Sequence, residues 1–260
     1  MEIWTVLILM IAGLLVGFIN TLAGGGSVIS LSTFILLGLP ANVANGTNRL
    51  AILIQNIGAV GNFKRNNVLD SRKGITLAIP ALIGSIIGSW IAADINEQII
   101  RKAIGIALIL MLIILLINPK QWIIGTKKLQ DKKVSIGQIL LFFLIGIYGG
   151  FIHIGVGYAL LAGIVLGAGY DIVKANAIKV LIILLWTPLS LSIFWYYNQV
   201  VWLYGFIMGL GNFIGALIAS QIAIKKGANF VRYIVILIII FMSAHLLGVI
   251  NIEQWLNIVY

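Results

Sequence analysis

Polar residues are scarce along this chain, and they interrupt long apolar stretches at regular intervals. Most of the apolar runs approach the length of about 20 residues that a helix needs to cross a bilayer. The pattern predicts an all-α membrane protein, folded as a polytopic helical bundle. We place about ten helical pieces at residues 4–22, 27–38, 41–63, 73–93, 98–117, 134–153, 157–168, 172–196, 200–224 and 230–249.

The glycine and asparagine positions of the first half recur in the second half. Asn45 and Asn176 lie 131 residues apart, and Gly17 and Gly150 lie 133 residues apart. Duplicated hydrophobic chains of this kind are typical of secondary transporters, whose substrate site lies where the two halves meet. The predicted division is a first repeat at 1–118, a polar cytoplasmic linker at 119–133, a second repeat at 134–251 and a short tail at 252–260.

Basic residues cluster in three of the connections between the predicted helices. The clusters lie at 64–73, in the linker at 119–133 and at 225–232. Because loop lysines and arginines favour the cytoplasmic side of a membrane, we place all three inside. The uncharged loop 196–202 is the equivalent of loop 64–73 and falls outside, so we expect two repeats of inverted topology. Both chain termini are then predicted to lie outside.

Each repeat is predicted to begin with a broken helix that enters the membrane and returns as a hairpin. In the first half, the break contains Gly24, Gly25 and Gly26, with Asn20 before it and Ser27 after it. Backbone amides freed at a helix start carry partial positive charge and bind anions, so we assign these five residues to a substrate site. Close helix packing is the alternative, and we prefer it for the other glycines of the apolar helices. These are Gly13, Gly17, Gly84, Gly88, Gly146 and Gly215.

Further polar residues lie at helical spacing and form a stripe in each half. Such a stripe inside a membrane helix normally faces the interior of the bundle. The candidates for substrate binding are Asn45, Thr47, Asn48, Arg49 and Asn56 in the first half, and Asn176, Lys179 and Thr187 in the second. The two basic side chains either donate hydrogen bonds to an anion or snorkel to the lipid headgroups.

The second break carries a histidine. His153 occupies the position equivalent to Asn20, and Gly157 occupies the position equivalent to Gly24. The imidazole either donates to an anion or titrates near neutral pH, or else it bonds a carbonyl of the broken helix. Trp186, in the middle of a predicted helix, either lines the substrate path or marks a kink beside Pro188.

Three motifs in the first half carry a family resemblance. They are Gly17-Phe18-Ile19-Asn20-Thr21-Leu22-Ala23-Gly24-Gly25-Gly26-Ser27, Gly38-Leu39-Pro40 and Ala44-Asn45-Gly46-Thr47-Asn48. Together they resemble the sulfite exporter TauE/SafE family, although the second half departs from the pattern at 155–158 and 176–179. The resemblance implies movement of small sulfur-containing anions, such as sulfite or organosulfonates, across a bacterial inner membrane.

The acidic residues all lie outside the predicted helices, and the chain has no cysteine. We therefore expect no metal and no cofactor, and the absence of a visible nucleophile–base pair argues against an enzyme. A scaffold of a membrane complex and a cation carrier are the remaining alternatives, disfavoured by the short loops and by the missing acids and thiols.

The predicted partners are a small anion and the lipid bilayer. The net charge of +10 lies in short loops and forms no basic face with aromatic readers, so no nucleic acid is expected. Because the inside-negative potential favours anion exit by about 2.3 kcal/mol per charge per 100 mV, the sequence favours export. Proton-coupled uptake through His153 and transport of another small oxyanion stay open, as does a homo-oligomer.

Overall fold

The computed structural model describes residues 2–93, 126–130 and 132–246, and within these ranges the chain forms helices and no strand. The helices are α1 (Ile3–Leu22), α2 (Ser27–Leu36), α3 (Ala41–Arg65), α4 (Ser71–Ala92), α5 (Lys127–Gln130), α6 (Ile136–Phe151), α7 (Val156–Ala162, continued by a π-helical turn at Gly163–Gly167), α8 (Ile172–Tyr196) and α9 (Trp202–Leu246, kinked at Gly227). Among them α1, α4, α8 and the first part of α9 are long and apolar enough to cross a membrane. The all-α membrane architecture is confirmed.

The described helix ends agree with the predicted ones to within two residues, and the boundary predicted between the last two helices falls at a kink. The segments predicted at 200–224 and 230–249 are two helices that meet at a kink within Trp202–Leu246, because Gly227, inside the predicted gap, leaves the helical conformation at φ 75° and ψ −175°. A glycine can adopt this backbone without steric strain, so one residue provides the kink. The segment predicted at 98–117 and the end of the last one lie outside the described residues.

The helices pack in a crossed arrangement around α3 and α8. Helix α1 packs mainly on α9, α4 packs on α6, and α3 and α8 contact each other as well as these outer helices. The close contacts run through glycines: a Cβ on Gly17 would overlap the backbone of Asn212, and one on Gly146 would overlap that of Ala81. The same holds for the other glycines that we assigned to packing, so that prediction is confirmed.

The position of α3 follows from its composition. It carries buried asparagine, glutamine and arginine side chains and is not among the helices apolar enough to face lipid. Polar groups in a membrane must be covered by protein, so α3 lies inside while α1, α4 and α6 expose their apolar side chains. The division into two inverted repeats stays a prediction.

The glycine contacts give a direct test of this packing. Replacing Gly146 by alanine places a Cβ against the Ala81 carbonyl, and we expect the free energy of unfolding to fall by about 1–3 kcal/mol. The matched control is Gly61→Ala in α3, where a Cβ meets nothing within 4 Å and stability should be unchanged or slightly higher. Melting temperatures of the two purified variants in detergent check this, and equal destabilisation of both would contradict the assigned contact.

Candidate functional site

The first break presents three unbonded backbone amides at the start of α2. Helix α1 ends with hydrogen bonds from the Ala23 and Gly24 amides to the Ile19 carbonyl, at 2.8 and 3.1 Å. The amides of Gly25, Gly26 and Ser27 have no acceptor within the described part of the chain, and these residues are buried. Free amides at a helix start, away from water, are suited to stabilise an anion.

The two breaks touch each other. The second break lies between α6 and α7, and Gly155 turns the chain there at φ 72°. A Cβ on Gly24 would overlap the backbone of Gly157, and a Cβ on Gly157 would overlap that of Gly24. The predicted pair of site glycines thus forms one backbone-to-backbone contact, which a larger residue at either position would prevent.

Arg49 connects α3 to the end of α6. Its guanidinium donates from Nη1 to the Gly149 carbonyl at 2.6 Å and from Nη2 to the Gly150 carbonyl at 2.7 Å. Nη2 also lies 3.3 Å from Oδ1 of Asn45, whose own amide donates to the Phe151 carbonyl. The side chain is fully buried. Since the last carbonyls of a helix carry partial negative charge, Arg49 stabilises the broken end of α6.

Lys179 of α8 makes the corresponding contact with the first break. Its ammonium group donates to the carbonyls of Asn20 and Thr21, at 2.9 and 3.0 Å, and to Oδ1 of Asn176. These carbonyls belong to the last turn of α1, and Lys179 is fully buried. The snorkelling alternative is therefore wrong for both basic side chains, because each is bonded to a helix end inside the protein.

His153 lies beside Arg49, with its Nδ1 3.2 Å from Nη1 of the guanidinium. A guanidinium can only donate, so a hydrogen bond between the two groups requires the tautomer in which Nδ1 of the imidazole accepts. The ring also meets Trp186 edge-on, with 6.2 Å between the ring centroids.

Gln55 and Ser30, which are not among the predicted site residues, also bond to side chains at the first break. Asn20 donates to Oγ of Ser27 and to Oε1 of Gln55, at 3.4 and 3.3 Å. Ser30 donates to Oδ1 of Asn48 at 2.7 Å. A helical spacing could have found both, since Gln55 lies seven residues after Asn48 and Ser30 three residues after Ser27.

Three of the predicted site residues use their side chains elsewhere. Thr47, Asn56 and Thr187 are buried, as a site residue could be. Their partners are the Val201 amide for Thr47, the Ile52 carbonyl for Asn56 and the Ile183 carbonyl for Thr187. These three side chains therefore form their hydrogen bonds away from the two breaks.

The charge at the centre of the protein is positive. Among the described residues, Arg49 and Lys179 are fully buried and no carboxylate is buried with them. The site also holds donors that make no hydrogen bond in the described structure. They are Nδ2 of Asn48, Nε of Arg49, the Tyr158 hydroxyl, Nδ2 of Asn176 and Nε1 of Trp186. No group of three metal-ligating side chains lies together in the described ranges.

Comparison with known proteins decides the family. The family model described as Sulfite exporter TauE/SafE matches residues 9–246, which is nearly the whole chain. The chain belongs to the sulfite exporter TauE/SafE family. The resemblance of the sequence motifs to TauE/SafE proteins is thereby confirmed.

Bacterial relatives of this TauE/SafE protein carry names of the same class. A probable membrane transporter protein, ORF9 of Sinorhizobium sp., is 26% identical over 242 residues that cover 92% of this chain and 91% of that protein. The probable membrane transporter protein YfcA of Escherichia coli K12 is 28% identical over 243 residues, covering 92% and 88%. No solved structure matches the chain. The protein is thus an integral membrane transporter and not an enzyme.

The bond between Lys179 and the end of α1 predicts a specific loss of stability. Lys179→Gln shortens the side chain and leaves the Asn20 and Thr21 carbonyls without their donor, so the free energy of unfolding should fall by about 1–3 kcal/mol. Lys174→Gln, on the same helix but exposed, removes the same charge and should change stability by less than about 0.5 kcal/mol. Thermal unfolding of both variants in detergent measures the difference, and equal melting temperatures would contradict the assigned contact.

Proposed function

We propose that this transporter carries small sulfur-containing anions, sulfite or an organosulfonate, out of the cell across the plasma (inner) membrane. The observation that carries the proposal is the pair of buried cations, Arg49 and Lys179, without a buried carboxylate in the described structure. Buried charges normally have a charged partner, and helix-end carbonyls offer only partial charges. A bound anion supplies the missing negative charge.

The proposed substrate site lies where the two breaks meet. It contains three free amides of the first break and several side-chain donors that have no acceptor in the described structure. An oxyanion suits such a site because it only accepts hydrogen bonds. The residues proposed to line it are Asn20, Gly24, Gly25, Gly26, Ser27, Asn45, Asn48, Arg49, His153, Gly157, Asn176 and Lys179, with Tyr158 and Trp186 added by their unused donors.

A tetrahedral or pyramidal oxyanion fits this set of donors better than a simple cation does. Sulfite and sulfonate groups present three oxygens, which can accept from the α2 amides, the guanidinium and the ammonium group together. A site whose donors converge on one group also binds an oxyanion in preference to water. The family name specifies sulfite, whereas the names of the relatives describe a membrane transporter without a substrate.

The direction of transport follows from the charges. With the basic connections inside, as the positive-inside rule predicts, the membrane potential drives an anion outward without a coupling ion. Proton coupling would require a charged His153, but a second positive charge 3.2 Å from the Arg49 guanidinium is unfavourable, so the two groups would have to separate first. We therefore propose uncoupled export, with the linker at 119–133 inside and both termini outside.

Flux through proteoliposomes tests the proposal. Vesicles loaded with labelled sulfite or a short sulfonate are given a potassium-diffusion potential of either sign. We expect flux that follows the potential without a proton or sodium gradient. A flux that requires a proton gradient would contradict uncoupled export, and no flux of any sulfur oxyanion would contradict the substrate class.

Variants locate the site in the same assay. Arg49→Lys keeps a positive charge but loses the fork that reaches both carbonyls, and Asn45→Ala removes a partner of the guanidinium. Each should lower flux by about tenfold or more, as a loss of one or two hydrogen bonds to a charged group implies. Lys174→Gln serves as the control and should transport normally. Normal flux in both site variants would rule out the proposed site.

A further inference from the structure

A basic cavity of about 580 Å³ lies at the N-terminal ends of α4 and α6. The second break follows the opposite end of α6, so the cavity is separate from the proposed substrate site. Four cations line it, Arg72, Lys73, Lys132 and Lys133, against one carboxylate, Asp70. Nothing in the transport mechanism uses these residues.

Two of the five charged groups build the wall of the cavity. Lys73 donates from Nζ to the carbonyls of Gln130 and Lys132, at 3.2 and 2.7 Å, which fastens the segment before α6 to α4. Asp70 accepts from the Lys73 amide and from the Tyr170 hydroxyl. Partial burial raises the pKa of the Asp70 carboxyl, but these hydrogen bonds and the Lys73 charge outweigh it and hold the pKa below its usual value. The Asp70 carboxylate is thus already engaged by hydrogen bonds within the protein.

The three remaining cations are available to a ligand. Within the described part of the chain, the side chains of Arg72, Lys132 and Lys133 make no hydrogen bond or ion pair, and all three residues are exposed. They lie on two different segments that Lys73 joins, so they surround the cavity instead of following one helix face. Three unpaired cations around one cavity are suited to a phosphate group.

The wall below these cations is apolar and continues onto the outer faces of the helices. Val134 and Ile139 line the cavity. Beyond them, Ile75 and Ile79 of α4 and Leu140 of α6 are half-exposed, on surfaces that face outward from the bundle. A free ion needs only the cations, whereas a ligand with an anionic head and hydrocarbon chains contacts both parts. Basic pockets between membrane helices bind anionic lipid headgroups in this way.

We propose that this cavity binds the phosphate headgroup of an anionic phospholipid. Arg72, Lys132 and Lys133 contact the phosphate, and the acyl chains lie along the apolar faces of α4 and α6. The lipid thereby joins the two helices at the membrane surface, on the side where the chain carries its basic connections.

Native mass spectrometry of the full-length protein in detergent tests this site. Phosphatidylglycerol should be retained about tenfold better than phosphatidylcholine, and the triple variant Arg72→Gln, Lys132→Gln, Lys133→Gln should lose this preference. A matched control removes three exposed cations that do not line the cavity: Lys64→Gln, Lys225→Gln and Lys226→Gln. The control should keep the preference, and an equal loss in both triple variants would overturn the proposal in favour of general attraction between charges.

A second comparison separates a lipid from a free phosphate. Ile139→Asn makes the wall polar without removing a charge, and it should weaken phosphatidylglycerol binding several-fold. Glycerol phosphate, the headgroup without chains, should compete only at far higher concentration than the lipid. If glycerol phosphate competes as well as the lipid and Ile139→Asn changes nothing, the cavity is a site for free anions and the lipid proposal is wrong.

Discussion

The structure depends on two buried cations that close the ends of broken helices. A helix that stops inside a membrane leaves carbonyls without partners, and each unsatisfied group there costs several kcal/mol. Arg49 supplies the donors for the end of α6, and Lys179 supplies them for the end of α1. Each cation is carried by a central helix, so α3 and α8 must lie inside the bundle and the other helices must cover them.

The same contact accounts for the glycines and for the crossed packing. Arg49 reaches α6 and Lys179 reaches α1 only if the two breaks lie side by side, and the Gly24–Gly157 contact allows that approach. Glycine contacts of α1 with α9 and of α4 with α6 then bring the outer helices close enough to cover the polar centre. If the proposed anion binds here, it shares these cations with the helix-end carbonyls, so substrate binding changes the hydrogen bonds that hold the two breaks together.

Local features of the sequence were sufficient for the helices and for the breaks. Long apolar runs end at glycines and polar residues, and such boundaries depend on neighbouring residues alone. The break predicted at 225–229 is confirmed but is shorter than predicted, since Gly227 alone leaves the helical conformation there. Lys225 and Lys226 directly precede this glycine, and basic side chains are favourable at a helix end.

The candidate site was harder to predict, because its main acceptors are backbone carbonyls. Every residue has a carbonyl, so nothing in the sequence marks Gly149 or Asn20 as the partner of a distant cation. The helical spacing of polar side chains can be read from the sequence, and it identified Asn45, Asn48, Arg49 and Lys179 as candidates. The same spacing also selected Asn56 and Thr187, which bond their own helices instead. Periodicity identifies the buried face of a helix, but it does not identify the partner.

The most direct test of the central claim is the position of a bound anion. Selenite has the shape and charge of sulfite, and its selenium atom scatters anomalously. Crystals of the protein grown with selenite should show a single anomalous peak beside the Gly24–Gly157 contact, within hydrogen-bond distance of the α2 amides and of Arg49 or Lys179. An anomalous peak away from the breaks, or a cation bound between them, would contradict the account.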